Sequence, residues 1–279
     1  MTSTHPAWPE LPTTEADGTP TINASEYIEE AYVFLGAGAA VLLQLAMPGV
    51  GHGVADHSEV LSRPLSRLRT TMSFIYAIML GTDEEKREII RMVNKAHVPV
   101  HSETYNAFDP DLQLWVASTL YHGGTDLYQR FNGELGPVSA ERIYRDSMEY
   151  GTALQVRPDM WPADLAEFER YWGQAMDDLS VDDQVLEFTH RLLSSQNAPW
   201  FLRPFMPLNK FVTTGLLPQQ ARDAFELPWS PRDQRRFDQL FRILPAAYRF
   251  VPRILRTLPA RLYLSDMRRR VRSGRGLAH

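Results

Sequence analysis

Three short stretches of this chain hold the side chains with the most chemistry to offer. In Arg67-Leu68-Arg69-Thr70-Thr71, Arg67 and Thr71 stand at i and i+4, on one side of a helix whose neighbouring face is apolar. A cation and a hydroxyl aimed together at a buried place need partners there, such as a cofactor carboxylate or a bound oxygen. The plainer reading is an exposed arginine beside a threonine bonded back to its own helix. In His97-Val98-Pro99-Val100-His101, a helix ending at His97 presents an imidazole to a cavity. His101 shares that face only if the helix runs past Pro99, which proline geometry opposes. One histidine suffices for haem, because the porphyrin supplies four nitrogens. The third stretch is His52-Gly53-Val54-Ala55-Asp56-His57-Ser58-Glu59. Its histidines are five apart, poor spacing for one helical face, so capping or hydrogen bonding is the simpler role.

Generic catalytic patterns are missing. There is no GxGxxG after a strand, no Walker loop, no GxSxG and no HExxH. With no cysteine, thiolate metal sites, iron–sulfur clusters, disulfides and thiol nucleophiles are excluded, leaving eight histidines and the carboxylates for any metal chemistry. A net charge of −5 offers no electrostatic case for nucleic acid.

The elements that must position these groups read as helices. Ser25 is placed to cap a helix that turns apolar nearly all round from Tyr32 to Pro48, with Met47-Pro48-Gly49-Val50-Gly51 as its break. That segment is short of membrane-spanning length and carries Gln44, so it reads as a buried core helix. Val54 to Leu61 suggests a short helix and Leu65 to Leu80 a longer one. Thr82 with Glu85 forms a capping box for a helix reaching His97. Asp109-Pro110 opens another, through Trp115 to Phe131. Further helices are expected at 139–151, 162–176, 181–195, 217–226, 231–243 and 245–271, and alternation near Val98 to Tyr105 allows one short extended piece. The expected fold is all-α, a single globular multi-helix domain of ten or so helices without internal repeat. Residues 1–23 read as a flexible arm, 24–271 as the domain and 272–279 as a basic tail. The N-terminus lacks the layout of a secretory signal, so a cytoplasmic location is expected. Arg249, Arg253, Arg256, Arg261, Arg268, Arg269, Arg270, Arg272 and Arg275 make the last segment basic. A solvated helix face is the simplest account, and contact with anionic lipid or a propionate-bearing cofactor the alternative.

Taken in order, His57-Ser58, Arg63-Pro64-Leu65, Arg67-Leu68-Arg69 and Thr71 resemble the "HS…PL.RLR.T" block of latex-clearing-protein and MpaB-type oxygenases. His97 to Val100, Asp109-Pro110 to Trp115-Val116, and Arg249 to Pro259 are also similar to that family, so the likeness covers roughly residues 25–270. The resemblance implies an all-α fold with a buried haem pocket holding haem b. His97, thirty residues after Arg67, is then the proximal iron ligand, with Arg67 and Thr71 beside the haem. Characterised members cleave isoprenoid carbon–carbon double bonds with dioxygen. Rubber-cleaving members, which are secreted, place a lysine where this chain has Thr70, and many relatives have histidine at Met47. The carboxylate proposed as base in rubber cleavage has no clear counterpart, Asp56 and Glu59 being merely nearby. The expectation is a haem-dependent oxygenase or peroxidase-like oxidoreductase acting on a small apolar molecule with dioxygen or peroxide. In it the second ring nitrogen of His97 needs a hydrogen-bond acceptor. The competing expectation is a non-catalytic isoprenoid or lipid binder that touches membrane peripherally through its Arg-rich C-terminus. Substrate, distal ligand, oligomeric state and the choice between His97 and His101 stay open at this level.

Overall fold

Sequence signals at helix starts account for much of the architecture. A computed structural model describes residues 8–57, 64–194, 198 and 200–273. Asn23, not Ser25, caps α1 (Ala24–Ile28): its side chain accepts from the Ser25 amide while Glu26 returns a bond to the Asn23 amide. The apolar segment that follows is not one helix. Ala31–Gly36 is wound as a 3-10 turn, and α2 (Ala37–Leu45) continues from it. At Gly36 the chain presses against Leu127, where a Cβ would come within 2.6 Å of a methyl group.

The expected break at Met47–Gly51 is only a corner. Pro48 opens α3 (Pro48–His57), as a proline can at a first helical position, where no amide hydrogen is needed. The two helical pieces meet at 108°. Among the described residues no single helix is long and apolar enough to cross a membrane, and this bent pair passes that test only jointly. The expected helix at Val54–Leu61 is thus displaced toward the N-terminus, and residues 58–61 lie outside the described residues.

The next helices are α4 (Pro64–Leu80) and α5 (Asp83–His97), the latter with the expected Thr82–Glu85 capping box. Asp109 caps α6 (Pro110–Asn132), which at 23 residues extends about 35 Å and forms the axis of the fold. Then come α7 (Pro137–Ser147), α8 (Glu149–Thr152), α9 (Leu165–Asp177), α10 (Asp183–Leu192), α11 (Met206–Leu216) and α12 (Gln219–Ala224). The C-terminal part is divided differently from expectation. Helix α13 (Pro231–Tyr248) runs through Pro245, and α14 (Arg253–Arg256) and α15 (Leu258–Arg272) follow. Among the described residues there is no strand, only the isolated bridges Thr14–Pro20 and His101–Asn106.

The core lies around α6. Helix α2 packs along it, with Trp115 Nε1 donating to the Leu43 carbonyl at 3.0 Å and Gln44 Nε2 to Thr119 Oγ1 at 3.0 Å. On the other side Tyr121, Tyr144, Trp161, Phe168 and Trp172 form a continuous run of aromatic contacts. Helix α4 is held between α5 and α15, which sets the Arg67 face relative to the end of α5. The described part of the N-terminal arm is tied down. Glu15 accepts from the Val138 and Ser139 amides at 3.1 and 2.8 Å, at the start of α7, while Arg142 and Arg145 donate to the carbonyls of Pro12 and Pro9.

Candidate active site

Arg67 and Thr71 sit one turn apart on α4, and His97 is the last residue of α5. The hydroxyls of the two adjacent threonines differ. Thr70 Oγ1 donates back to the Ser66 carbonyl at 3.0 Å, whereas no hydrogen bond involves the exposed Thr71 hydroxyl among the described residues. Arg67 keeps much of its surface open to solvent, yet surrounding protein lowers its pKa by desolvation. No described carboxylate pairs with it.

His97 is half-buried, with the edge of Phe108 against its ring at 6.2 Å between centroids. Its pKa is lowered first by burial and then by the Arg67 cation, so Arg67 and His97 are electrostatic neighbours across the α4–α5 contact. Neutral imidazole, the form that ligates metal, is therefore favoured. The acceptor expected for its second ring nitrogen is missing: Nδ1 is buried with no hydrogen-bond partner. Ring orientation rests on packing instead. α5 stops at His97, and His101 lies beyond the turn, exposed and bridged to Asn106, so the two histidines do not share a helical face.

The residues fit a b-type haem in ligand type and in charge. A histidine held toward its neutral form and an arginine without a carboxylate partner among the described residues stand near one another, matching an iron and a propionate. A protein-only metal ion is a poorer match, since no group of three or more His, Asp or Glu converges among the described residues. An open cavity of about 420 Å³ between α1, α4 and α15, lined by Glu29, Met79, Leu80 and Arg261, does not include Arg67 or His97.

The His52–His57 stretch forms hydrogen-bonded braces. His52 Nε2 is 2.7 Å from Asp182, the N-cap of α10. The Tyr105 hydroxyl donates to Asp56 at 2.8 Å, Gln184 donates to the other Asp56 oxygen at 2.7 Å, and His57 Nε2 approaches the Tyr105 oxygen at 3.0 Å. The Tyr105 bond, followed by that from Gln184, lowers the Asp56 pKa. The loop after His97 is thereby tied to α3, since Val100 and Tyr105 also pack over Gly53. Ser58, Glu59 and Arg63 lie outside the described residues. Tyr105→Phe removes a donor to Asp56 and the acceptor for His57, and is expected to lower stability by about 1 kcal/mol. Urea unfolding checks this, and an unchanged midpoint would show that the brace carries no energy.

Comparison with known proteins now bears on the site. The family described as "ER-bound oxygenase mpaB/B'/Rubber oxygenase, catalytic domain" matches residues 25–246. The chain belongs to this family. As a member of the mpaB/rubber-oxygenase catalytic domains it is an oxygenase-type enzyme. It is 40% identical over 247 residues to the uncharacterized protein Mb2261 of Mycobacterium bovis, and equally to the uncharacterized protein Rv2237 of Mycobacterium tuberculosis. In each comparison the match covers 85% of this chain and 97% of the relative. No solved structure matches this oxygenase domain.

A further histidine lies in the core. His122, on α6, stacks on Trp172 with centroids 4.0 Å apart. Burial lowers its pKa, and of its charged neighbours Asp126 raises it while Arg130 lowers it. An i+7 spacing from Trp115 places it on the core side, but its partner Trp172 comes from a distant helix. His97 and His122 thus share a depressed pKa, and the sign of the consequence is fixed. As pH falls below about 6.5, the unfolded chain takes up protons that these folded residues resist. Stability is expected to be full above that range and to drop as pH falls toward the depressed folded values. His122→Leu should flatten the decline in urea midpoint between neutral and mildly acid pH. An unchanged slope in that variant would contradict a buried neutral His122.

Proposed function

We propose that this oxygenase domain binds haem b through His97 and oxidises a small apolar or isoprenoid-like molecule with dioxygen or peroxide. The observation that carries the reading is the pairing of Arg67 with His97. Burial, and after it the Arg67 cation, which has no carboxylate partner among the described residues, depresses the pKa of an imidazole whose buried Nδ1 has no hydrogen-bond partner. When bound, haem would supply the iron centre at which oxygen is activated.

The protein's own part follows from its residues. His97, its pKa lowered by burial and by Arg67, stays neutral at physiological pH, so it would ligate without first giving up a proton. Arg67 offers its guanidinium to a propionate or to an anionic oxygen. The Thr71 hydroxyl would donate to the bound group from the same face. Thr70 stands where rubber-cleaving relatives can place a lysine, and its hydroxyl donates to the Ser66 carbonyl of its own helix. The apolar composition of the surrounding core suits an apolar substrate.

The test is the absorption spectrum of protein expressed with a haem precursor. A Soret band that shifts on reduction and with carbon monoxide supports haem and an accessible distal side. A colourless protein that also fails to take up hemin would overturn the proposal and favour a non-catalytic lipid or isoprenoid binder. Substrate screening then starts with isoprenoids and phenols.

A further inference from the structure

Residues 239–265 form an unusual surface. The inward side of this segment is fixed: Phe237 is buried, Phe241 and Tyr248 pack on Phe131, and the Tyr248 hydroxyl donates to Glu30 at 2.8 Å. Arg256 and Arg253 reach Glu30 and Glu29 at 3.4 and 4.0 Å. These ties determine which side faces outward.

Along the solvent face of α13 the character changes. Its first turns expose Arg232, Arg235, Asp238 and Gln239, as a surface helix should. Its last turns instead expose Ile243, Ala246 and Ala247, at spacings that put them on one stripe, and Phe250 is exposed just past its end. The chain continues in the same manner through Ile254 and Leu255, then Leu258 and Leu262, which lie at i and i+4 on α15. Ile243, Phe250, Ile254, Leu255, Leu258 and Leu262 are each between 42% and 82% exposed. Scattered exposed apolar side chains are ordinary, but such a concentration within twenty residues marks a contact surface.

The charge on this segment identifies the contact. In a chain of net charge −5, residues 239–265 contain five arginines and no aspartate, glutamate or lysine. Arg242, Arg249 and Arg261 are exposed and have no carboxylate within ion-pairing distance among the described residues. A second copy of the chain would bring like charge against like charge. A nucleic acid would satisfy the arginines and leave Phe250 and Ile254 in water. An anionic lipid surface satisfies both, taking the apolar side chains into the acyl boundary and the guanidinium groups among the headgroups.

We propose that the face built by the end of α13, α14 and the start of α15 docks the enzyme on anionic membrane, lying in the interface rather than crossing it. This does not depend on the haem reading. The experiment is co-sedimentation of the full chain with phosphatidylcholine vesicles, with and without phosphatidylglycerol. The wild type is expected to pellet with the anionic vesicles and to be released by high salt. Phe250→Ser with Ile254→Ser, and separately Arg249→Gln with Arg261→Gln, should each weaken partitioning by more than about tenfold with unchanged circular dichroism, because the replaced side chains face solvent. Wild-type protein that stays in solution with anionic vesicles would overturn the proposal. So would double variants that pellet like the wild type. A concentration-dependent dimer abolished by the Phe250/Ile254 substitutions, without vesicle binding, would assign the face to a second copy instead.

Discussion

His97→Ala is expected to yield a folded protein that purifies without haem, whereas His101→Ala retains it. The contrast rests on geometry. His97 ends α5 beside Arg67 and is held neutral by burial and by that cation, while His101 lies exposed past the turn. Removing the imidazole takes away the proposed protein bond to iron, so the loss of Soret absorbance should be near complete rather than graded. Circular dichroism should be almost unchanged, since the ring has no hydrogen bond at Nδ1 to lose. Full haem occupancy in His97→Ala, or its loss in His101→Ala, would move the ligand to another residue.

Trp115→Ala is expected to have the largest effect on stability. Trp115, in the second turn of α6, is 1% exposed and stacks on Trp172 with centroids 5.3 Å apart. Its indole N–H also satisfies the Leu43 carbonyl of the helix beside it. Truncating a buried tryptophan costs roughly 3–5 kcal/mol through lost transfer energy and the cavity left behind. Leaving that carbonyl unpaired adds about 1–3 kcal/mol. A loss of this size approaches half or more of the stability of an ordinary domain, so the variant should unfold far earlier in urea or fail to accumulate. Trp115→Phe keeps most of the ring and should recover much of the difference. A Trp115→Ala protein with a wild-type midpoint would mean that the α2–α6 seam does not hold the fold together.

Local signals in the sequence carried local structure well. The Thr82–Glu85 box and the Asp109-Pro110 start each lie within four residues of the helix they begin, and each is found there. Proline was harder to read because its effect depends on position. At Pro48 the expected break is a corner at which a new helix begins, whereas inside α13 Pro245 is tolerated and marks no boundary. The cap of α1 shifted from Ser25 to Asn23 for a similar reason, since both residues are good caps and only backbone geometry distinguishes them.

The candidate site was legible in its parts, though not in its wiring. Arg67 and Thr71 share a helical face by spacing alone, and His97 ends a helix by its distance from the capping box. That Arg67 lies near enough to His97 to lower its pKa depends on how α4 packs against α5, which no local pattern encodes. The braces His52–Asp182 and His57–Tyr105–Asp56–Gln184 join residues 48 to 130 positions apart, so the third stretch showed its donors and acceptors without their partners.

The tethered N-terminal arm has a practical bearing on how this protein is trimmed. The region matched to the family begins at residue 25, which invites a shortened version starting there. Such a version would discard Asn23, which caps α1, and Glu15, whose carboxylate accepts the first amides of α7 more than 120 positions downstream. It would also strip the carbonyls on which Arg142 and Arg145 rest. The minimal folding unit therefore extends upstream of the recognisable homology, and a trimmed gene should start before Trp8 rather than at the edge of the match.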